Sequence, residues 1–175
     1  PAEERLSHIV LMGMGEPLAN LDQLLPALDQ VARPEALGIS VRRITISTVG
    51  IPAAIQRLAR HEHHYHLAVS LHAPNDELRN RLVPINQKIG LQKLLRAADE
   101  YFEVSGRRLT YEYVLLAEIN DRDEHASELV QLLRGRPALL NVIPYNPVAG
   151  LPYRTPTHGA LLRFREVLEA GGLNV

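Results

Sequence analysis

The chain has 175 residues, 46% of them hydrophobic and 22% charged, with a formal net charge of -1 at pH 7; these values fit one folded domain with a substantial core and leave too little charge excess for disorder. Near-neutrality removes any global electrostatic case for nucleic acid, and no apolar run approaches the roughly 20 residues of a membrane span. Cysteine is absent, so the chain offers no disulfide, no thiol nucleophile and no thiolate ligand for an iron–sulfur cluster.

Residues 1–5, P-A-E-E-R, lack the basic-then-apolar design of a signal peptide. A soluble cytoplasmic protein is the expectation. The chain opens at Pro1 without a methionine and closes at Leu173-Asn174-Val175 on what reads as a beginning strand, the ends expected of a piece of something longer. Residues 9–12 are an apolar run suited to a buried strand. Gly13-Met14-Gly15 then lets the chain turn sharply, and Glu16 is carried past the strand's C-terminal end with Pro17 locking the backbone behind it. The spacing is not G-x-G-x-x-G, and a carboxylate on a glycine turn suits a cation such as an ammonium better than a phosphate.

Residues 21–32 place Leu21, Leu24, Leu25, Leu28 and Val31 on one helical stripe, with Asn20 as the expected cap. The β-branched run 43–48 predicts a strand ending in Ser47, Thr48 and a glycine at 50, and 51–60 a helix opened by Pro52. His61, His63, His64 and His66 cluster in H-E-H-H-Y-H, but Tyr65 stands where a zinc-protease helix needs its second histidine, and an exposed loop is the simpler reading. Residues 67–71 predict a strand that delivers Ser70, His72 and Asn75 to the same end as before. A short helix follows from 75 or 76 to 82, stopped by Pro84, and then a long amphipathic helix over 91–104 ended by Gly106.

Residues 109–116 alternate as a strand that turns Glu112 toward the interior, where a buried carboxylate needs an arginine or a polar site. Asp123 is the expected cap of a helix reaching Arg134; 139–143 form the last full strand, and Thr157 starts the closing helix. Five strand-then-helix units make an α/β fold with a parallel, curved or closing sheet and helices outside, and a sixth strand would begin at Leu173. Ligands of such folds sit at the strands' C-terminal ends. Gly15 with Glu16, Ser47, Ser70 with His72, and Asn146 meet there, an assortment suited to a small zwitterion bearing a ribose. Ser70 and His72 share a strand face two residues apart, but neither stands on a strained elbow, so a nucleophile–base pair is disfavoured.

In this order and spacing G-M-G-E-P-L-A-N, I-S-T-V-G, S-L-H-A-P-N-D, E-Y-V-L-L and N-V-I-P-Y-N-P resemble the radical S-adenosylmethionine enzymes that methylate adenine C2 in ribosomal and transfer RNA. The resemblance covers essentially the whole chain. It implies that residues 1–175 form a single partial (βα)6 barrel domain of the TIM type, supplying the later strands without the cluster-binding first unit and the C-terminal segment. Gly15 and Glu16 match the motif that binds the amino group of S-adenosylmethionine, and Ser47, Ser70, Leu71, His72 and Asn146 match its other cofactor contacts. The family's chemistry is a two-step methyl transfer in which one S-adenosylmethionine methylates a cysteine and a second is cleaved to a 5′-deoxyadenosyl radical. It needs a [4Fe-4S] cluster on a C-x-x-x-C-x-x-C loop and a carrier cysteine near the C-terminus. Both would flank this chain, so a cut at each end explains their absence more simply than decay, and the chain alone is expected to be inactive, with no catalytic residue and no metal ligand of its own. Implied partners are 23S rRNA and tRNA and a reductant such as flavodoxin or ferredoxin, acting on a monomer. The alternatives are an adenine-C8 rRNA methyltransferase of the same superfamily and a non-catalytic nucleoside- or cofactor-binding module.

Overall fold

A computed structural model describes residues 6–175; the signal-peptide reading of residues 1–5 lies outside them. Five strands, β1 (Ile9–Leu11), β2 (Ile44–Thr48), β3 (His66–Ser70), β4 (Leu109–Leu115) and β5 (Ala138–Pro144), form one sheet in the order of the sequence, every neighbouring pair parallel. Each return runs through a helix, as a parallel pair requires. The helices are α1 (Leu21–Ala32), α2 (Pro52–Ala59), α3 (Asp76–Leu82), α4 (Asn86–Ile89), α5 (Leu91–Ser105), α6 (Asp123–Leu133) and α7 (His158–Ala170). The architecture is the partial barrel expected of α/β repeats.

Two-residue alternation sorts the sheet faces. Ile44, Ile46, Leu67, Val69, Tyr111, Tyr113 and Leu115 are buried in one core with Leu25, Leu28, Ile55, Leu94, Leu95, Leu129 and Phe164 of the helical layer. The opposite, inner face carries Thr45, Ser47, His66, Ser70, Glu112 and Asn141, which the register joins in rows from strand to strand.

Local differences from the expectations have simple causes. Asn20 makes no side-chain cap of α1, because the chain enters through a 3-10 turn at Pro17–Asn20 whose cap is the Glu16 carboxylate. Strand β2 begins one residue late because Ser40 caps a 3-10 turn at Val41–Arg43. Asp123 is the first residue of α6 and not its cap; Arg122 holds that place, and its N–H donates to His125 Nδ1 at 3.4 Å. The histidine run is not an exposed loop: His66 belongs to β3, and Tyr65 is fully buried with its hydroxyl on Asp29 Oδ1 at 3.1 Å. No sixth strand forms at Leu173, although Leu140 N–H donates to Asn174 O at 2.8 Å, so the tail runs beside β5.

Gly50, just after β2, lies hard against α5. Its φ is +96°, and a methyl group there would overlap Leu94 Cδ1 of α5. Gly50→Ala is expected to cost roughly 2–3 kcal/mol, the left-handed backbone and the crowding each contributing about half. Urea denaturation reads this directly; an unchanged midpoint would mean that Leu94 swings aside without cost.

Candidate functional site

The C-terminal ends of β1, β2 and β3 enclose a cavity of about 110 Å³ lined by Gly13, Gly15, Glu16, Ser47, Val49 and Ser70, with Leu11, Pro17 and Thr48 completing the wall. Gly15 has φ +92°, a conformation closed to most residues, and nothing lies within 4 Å of where its Cβ would be. The turn therefore presents bare backbone to the cavity. Glu16 is clamped at both oxygens: Oε1 accepts from Leu18 N–H at 3.0 Å and Oε2 from Val49 N–H at 2.7 Å. One carboxylate thus ties the end of β1 to the end of β2 while keeping lone pairs for a cation.

Beneath this rim lies Arg79 of α3, fully buried. Its Nε donates to Leu71 O at 3.0 Å, Nη2 to Val49 O at 2.7 Å and to Ser70 O at 2.8 Å, and Nη1 to Asn86 Oδ1 at 2.6 Å. Burial pulls its pKa down to about 10, partly offset by the Asp76 carboxylate, so the guanidinium remains charged at neutral pH. Asn86, also buried, passes its amide hydrogens to Asp76 Oδ1 at 2.8 Å and Asn80 Oδ1 at 2.7 Å, and Asp76 Oδ1 accepts from Leu91 N–H at the start of α5. The carbonyls that finish two strands are thereby pinned to three helices. The sequence reading missed Arg79, although its place beside Leu78 on the buried side of so short a helix was a signal.

The chain turns after Ser70. Leu71 is fully buried, its N–H donating to Glu112 O at 2.9 Å and its carbonyl taken by Arg79. His72 takes φ +58°, rare outside glycine, so strand alternation no longer relates it to Ser70 and the expected shared face does not exist; the expectation of an unstrained backbone is likewise corrected. Ser70 lines the cavity, whereas the His72 ring lies against β4 with Nδ1 accepting from Val114 N–H at 3.1 Å. That bond places the ring proton on Nε2. Burial, with Arg79 second, lowers the His72 pKa to about 4, so the ring is neutral at pH 7. Buried Asn120 holds the turn by donating to His72 O at 2.9 Å and Val114 O at 2.8 Å. Asn146 is exposed just past the end of β5, on the same rim but outside the cavity wall.

Among the described residues Glu112 has no arginine partner. Its Oε2 accepts from Asn141 Nδ2 of β5 at 2.8 Å, and burial raises its pKa against the opposing pull of that amide. A larger hollow of about 400 Å³ sits at the other end of the sheet, between Asp99, Arg136 and Ala138, away from every strand C-terminus. No group of three or more metal-ligating side chains assembles among the described residues, and no helix among them is long and apolar enough to cross a membrane. An anchored acid, an open glycine turn and two serines around a small cavity suit a cationic group carried on a polar molecule.

The radical SAM superfamily model matches residues 2–130. The chain is 67% identical over all 175 residues to the "Probable dual-specificity RNA methyltransferase RlmN" of Rhodopirellula baltica, of which it covers 47%. It superposes with a TM-score of 0.96 on a radical SAM methyltransferase from Sphaerobacter thermophilus, at 42% identity over 99% of this chain and 51% of that one. A domain of pyruvate-formate lyase-activating enzyme from Bacteroides vulgatus shares the fold, with a TM-score of 0.72 at 16% identity over 97% of each chain. The chain spans about half the length of the curated relatives it matches.

Proposed function

Because this chain belongs to the radical SAM superfamily, we propose that the full-length protein carrying it methylates C2 of adenosine in 23S rRNA and tRNA, with these residues forming the S-adenosylmethionine cradle. The observation that carries the reading is the 67% identity, over all 175 residues, with a relative named as a probable dual-specificity RNA methyltransferase. Residues 1–175 act as one partial barrel domain in this reading, and the protein works in the cytoplasm as a monomer supplied with electrons by a flavodoxin or ferredoxin.

The donor set fits the amino-acid end of the cofactor. Glu16 receives the ammonium, already held by two amides and so needing little reorganisation. Gly15 lets the backbone approach, and Ser47 and Ser70 supply hydroxyls to the carboxylate and sugar. Leu71 packs beneath them; His72, neutral, keeps Nε2–H as a donor, and Asn146 adds an amide from just past β5. The cofactor supplies the methyl group and the radical chemistry. A [4Fe-4S] cluster does not fit the residues of this chain, which has no cysteine; the reading assigns its ligands and the methyl-carrying cysteine to other sequence.

Mass spectrometry of nucleosides from 23S rRNA and tRNA treated with the reduced full-length protein tests the proposal. The expected product is 2-methyladenosine in both RNAs. Methylation at C8 alone would transfer the protein to the other branch, and no methylated adenosine would leave a binding module.

A further inference from the structure

Between β5 and α7 the chain runs through residues 145–157 with neither helix nor strand. So long a bare connection is uncommon in a packed domain unless it serves binding. This one is fixed in place. Tyr145 N–H donates to Leu115 O at 3.1 Å, Thr155 Oγ1 to Tyr145 O at 2.7 Å, Ala117 N–H to Arg154 O at 3.0 Å, and Val148 N–H to the Tyr145 hydroxyl at 3.3 Å. The loop lies at the C-terminal rim of the sheet, and its shape is set before anything binds.

Its surface differs from that of an ordinary solvated loop. Val148 and Leu151 are exposed. Tyr145 and Tyr153 are half-buried, their rings meeting edge to face with centroids 5.9 Å apart. An edge-on contact leaves ring face uncovered, and a rigid ring face stacks on any planar partner. The neighbouring residue leads to cations. Arg154 pairs with Glu118 at 2.6 Å, and Glu118 lines a hollow of about 350 Å³ together with Arg81, Arg122 and His125, Glu77 being the other acid on its wall. Arg81 and Arg122 are exposed and enter no ion pair among the described residues. With Glu118 taken by Arg154, two guanidinium groups are left against one carboxylate, a balance that suits an anion with several acceptor oxygens.

An aromatic platform beside a cationic hollow holds single-stranded nucleic acid, base on ring and phosphate on guanidinium. A base that undergoes chemistry must leave its stack, so its strand opens at the mouth of the site. The end of β5 is three strand spacings, about 14 Å, from the end of β2, where Glu16 is tethered at Val49. The loop therefore stands beside the cradle and not in it. We propose that it seats the RNA strand next to the target adenosine, Tyr153 stacking on a neighbouring base while Arg81 and Arg122 hold a backbone phosphate in the adjoining hollow. This rests on the RNA methyltransferase reading above and adds which sector of the rim the RNA meets.

The test is fluorescence anisotropy of a labelled, unmodified tRNA transcript with the full-length protein over a range of salt, beside calorimetric titration of the same samples with S-adenosylhomocysteine. Tyr153→Ala is expected to weaken RNA binding by roughly ten- to a hundredfold, and Tyr153→Phe, which keeps the ring, by less than about threefold. Neither changes the affinity for S-adenosylhomocysteine. Arg81→Gln combined with Arg122→Gln lowers the slope of log affinity against log salt by about 1. If the alanine variant does not fold, Tyr153→Leu, apolar but without a π face, decides in its place. RNA affinity kept without the ring, an equal loss in the phenylalanine variant, or a matching loss of S-adenosylhomocysteine binding overturns the platform. A salt slope unmoved by the arginine pair overturns the phosphate hollow. A wild-type protein that binds S-adenosylhomocysteine but no RNA strikes the reading on which both depend.

Discussion

Arg79→Met is expected to destabilise the fold by roughly 4–6 kcal/mol, the largest loss of any single side chain here. Methionine keeps the length and the apolar stem, so packing is nearly conserved. What disappears is a guanidinium that serves the carbonyls of Val49, Ser70 and Leu71 and the side-chain oxygen of Asn86. Each acceptor left dry costs about 1–3 kcal/mol. Arg79→Lys should recover only part, because one ammonium cannot span a fork that reaches two strands and a helix. Urea unfolding with an unchanged slope measures both variants. A loss below about 2 kcal/mol would show that water enters and replaces the donors.

Glu16→Ala is expected to weaken S-adenosylmethionine binding by roughly 30- to 100-fold and to remove methylation of both RNAs at ordinary cofactor concentration. The stability cost should be small, about 1 kcal/mol, since Leu18 N–H and Val49 N–H lie at the mouth of the cavity and can turn to water. Glu16→Gln separates the two roles: it retains an acceptor for one amide, hence most of the stability, and loses the charge that meets the ammonium. Titration calorimetry and thermal unfolding on the same samples check the pair. Unchanged affinity in the alanine variant takes Glu16 out of the site.

The fold was readable because parallel strands announce themselves locally. The β-branched run before Ser47 and the alternating tyrosines around Glu112 predicted β2 and β4 to within a residue, and the leucine stripes predicted α1 and α5. Residues at the ends of those strands then had to meet, which is how Gly15, Glu16, Ser47 and Ser70 come to line one cavity. Arg79 was hidden for the opposite reason. Three of its four partners are main-chain carbonyls of residues 8, 9 and 30 positions away, and no side-chain pattern records where a carbonyl will point. The left-handed turn at His72 was equally silent, being imposed from outside by Glu112 O and Asn120. Asn20 misled because a stronger acceptor, four residues earlier, had taken the capping role.

Val49 is gripped from both ends: its amide hydrogen by the acid at the cavity mouth and its carbonyl by the cation beneath. An anion, a single residue and a buried cation thus stand in series, aligned like links between the cavity mouth and the outer helices. Whatever disturbs the acid at the mouth therefore bears on the same residue that the buried guanidinium holds.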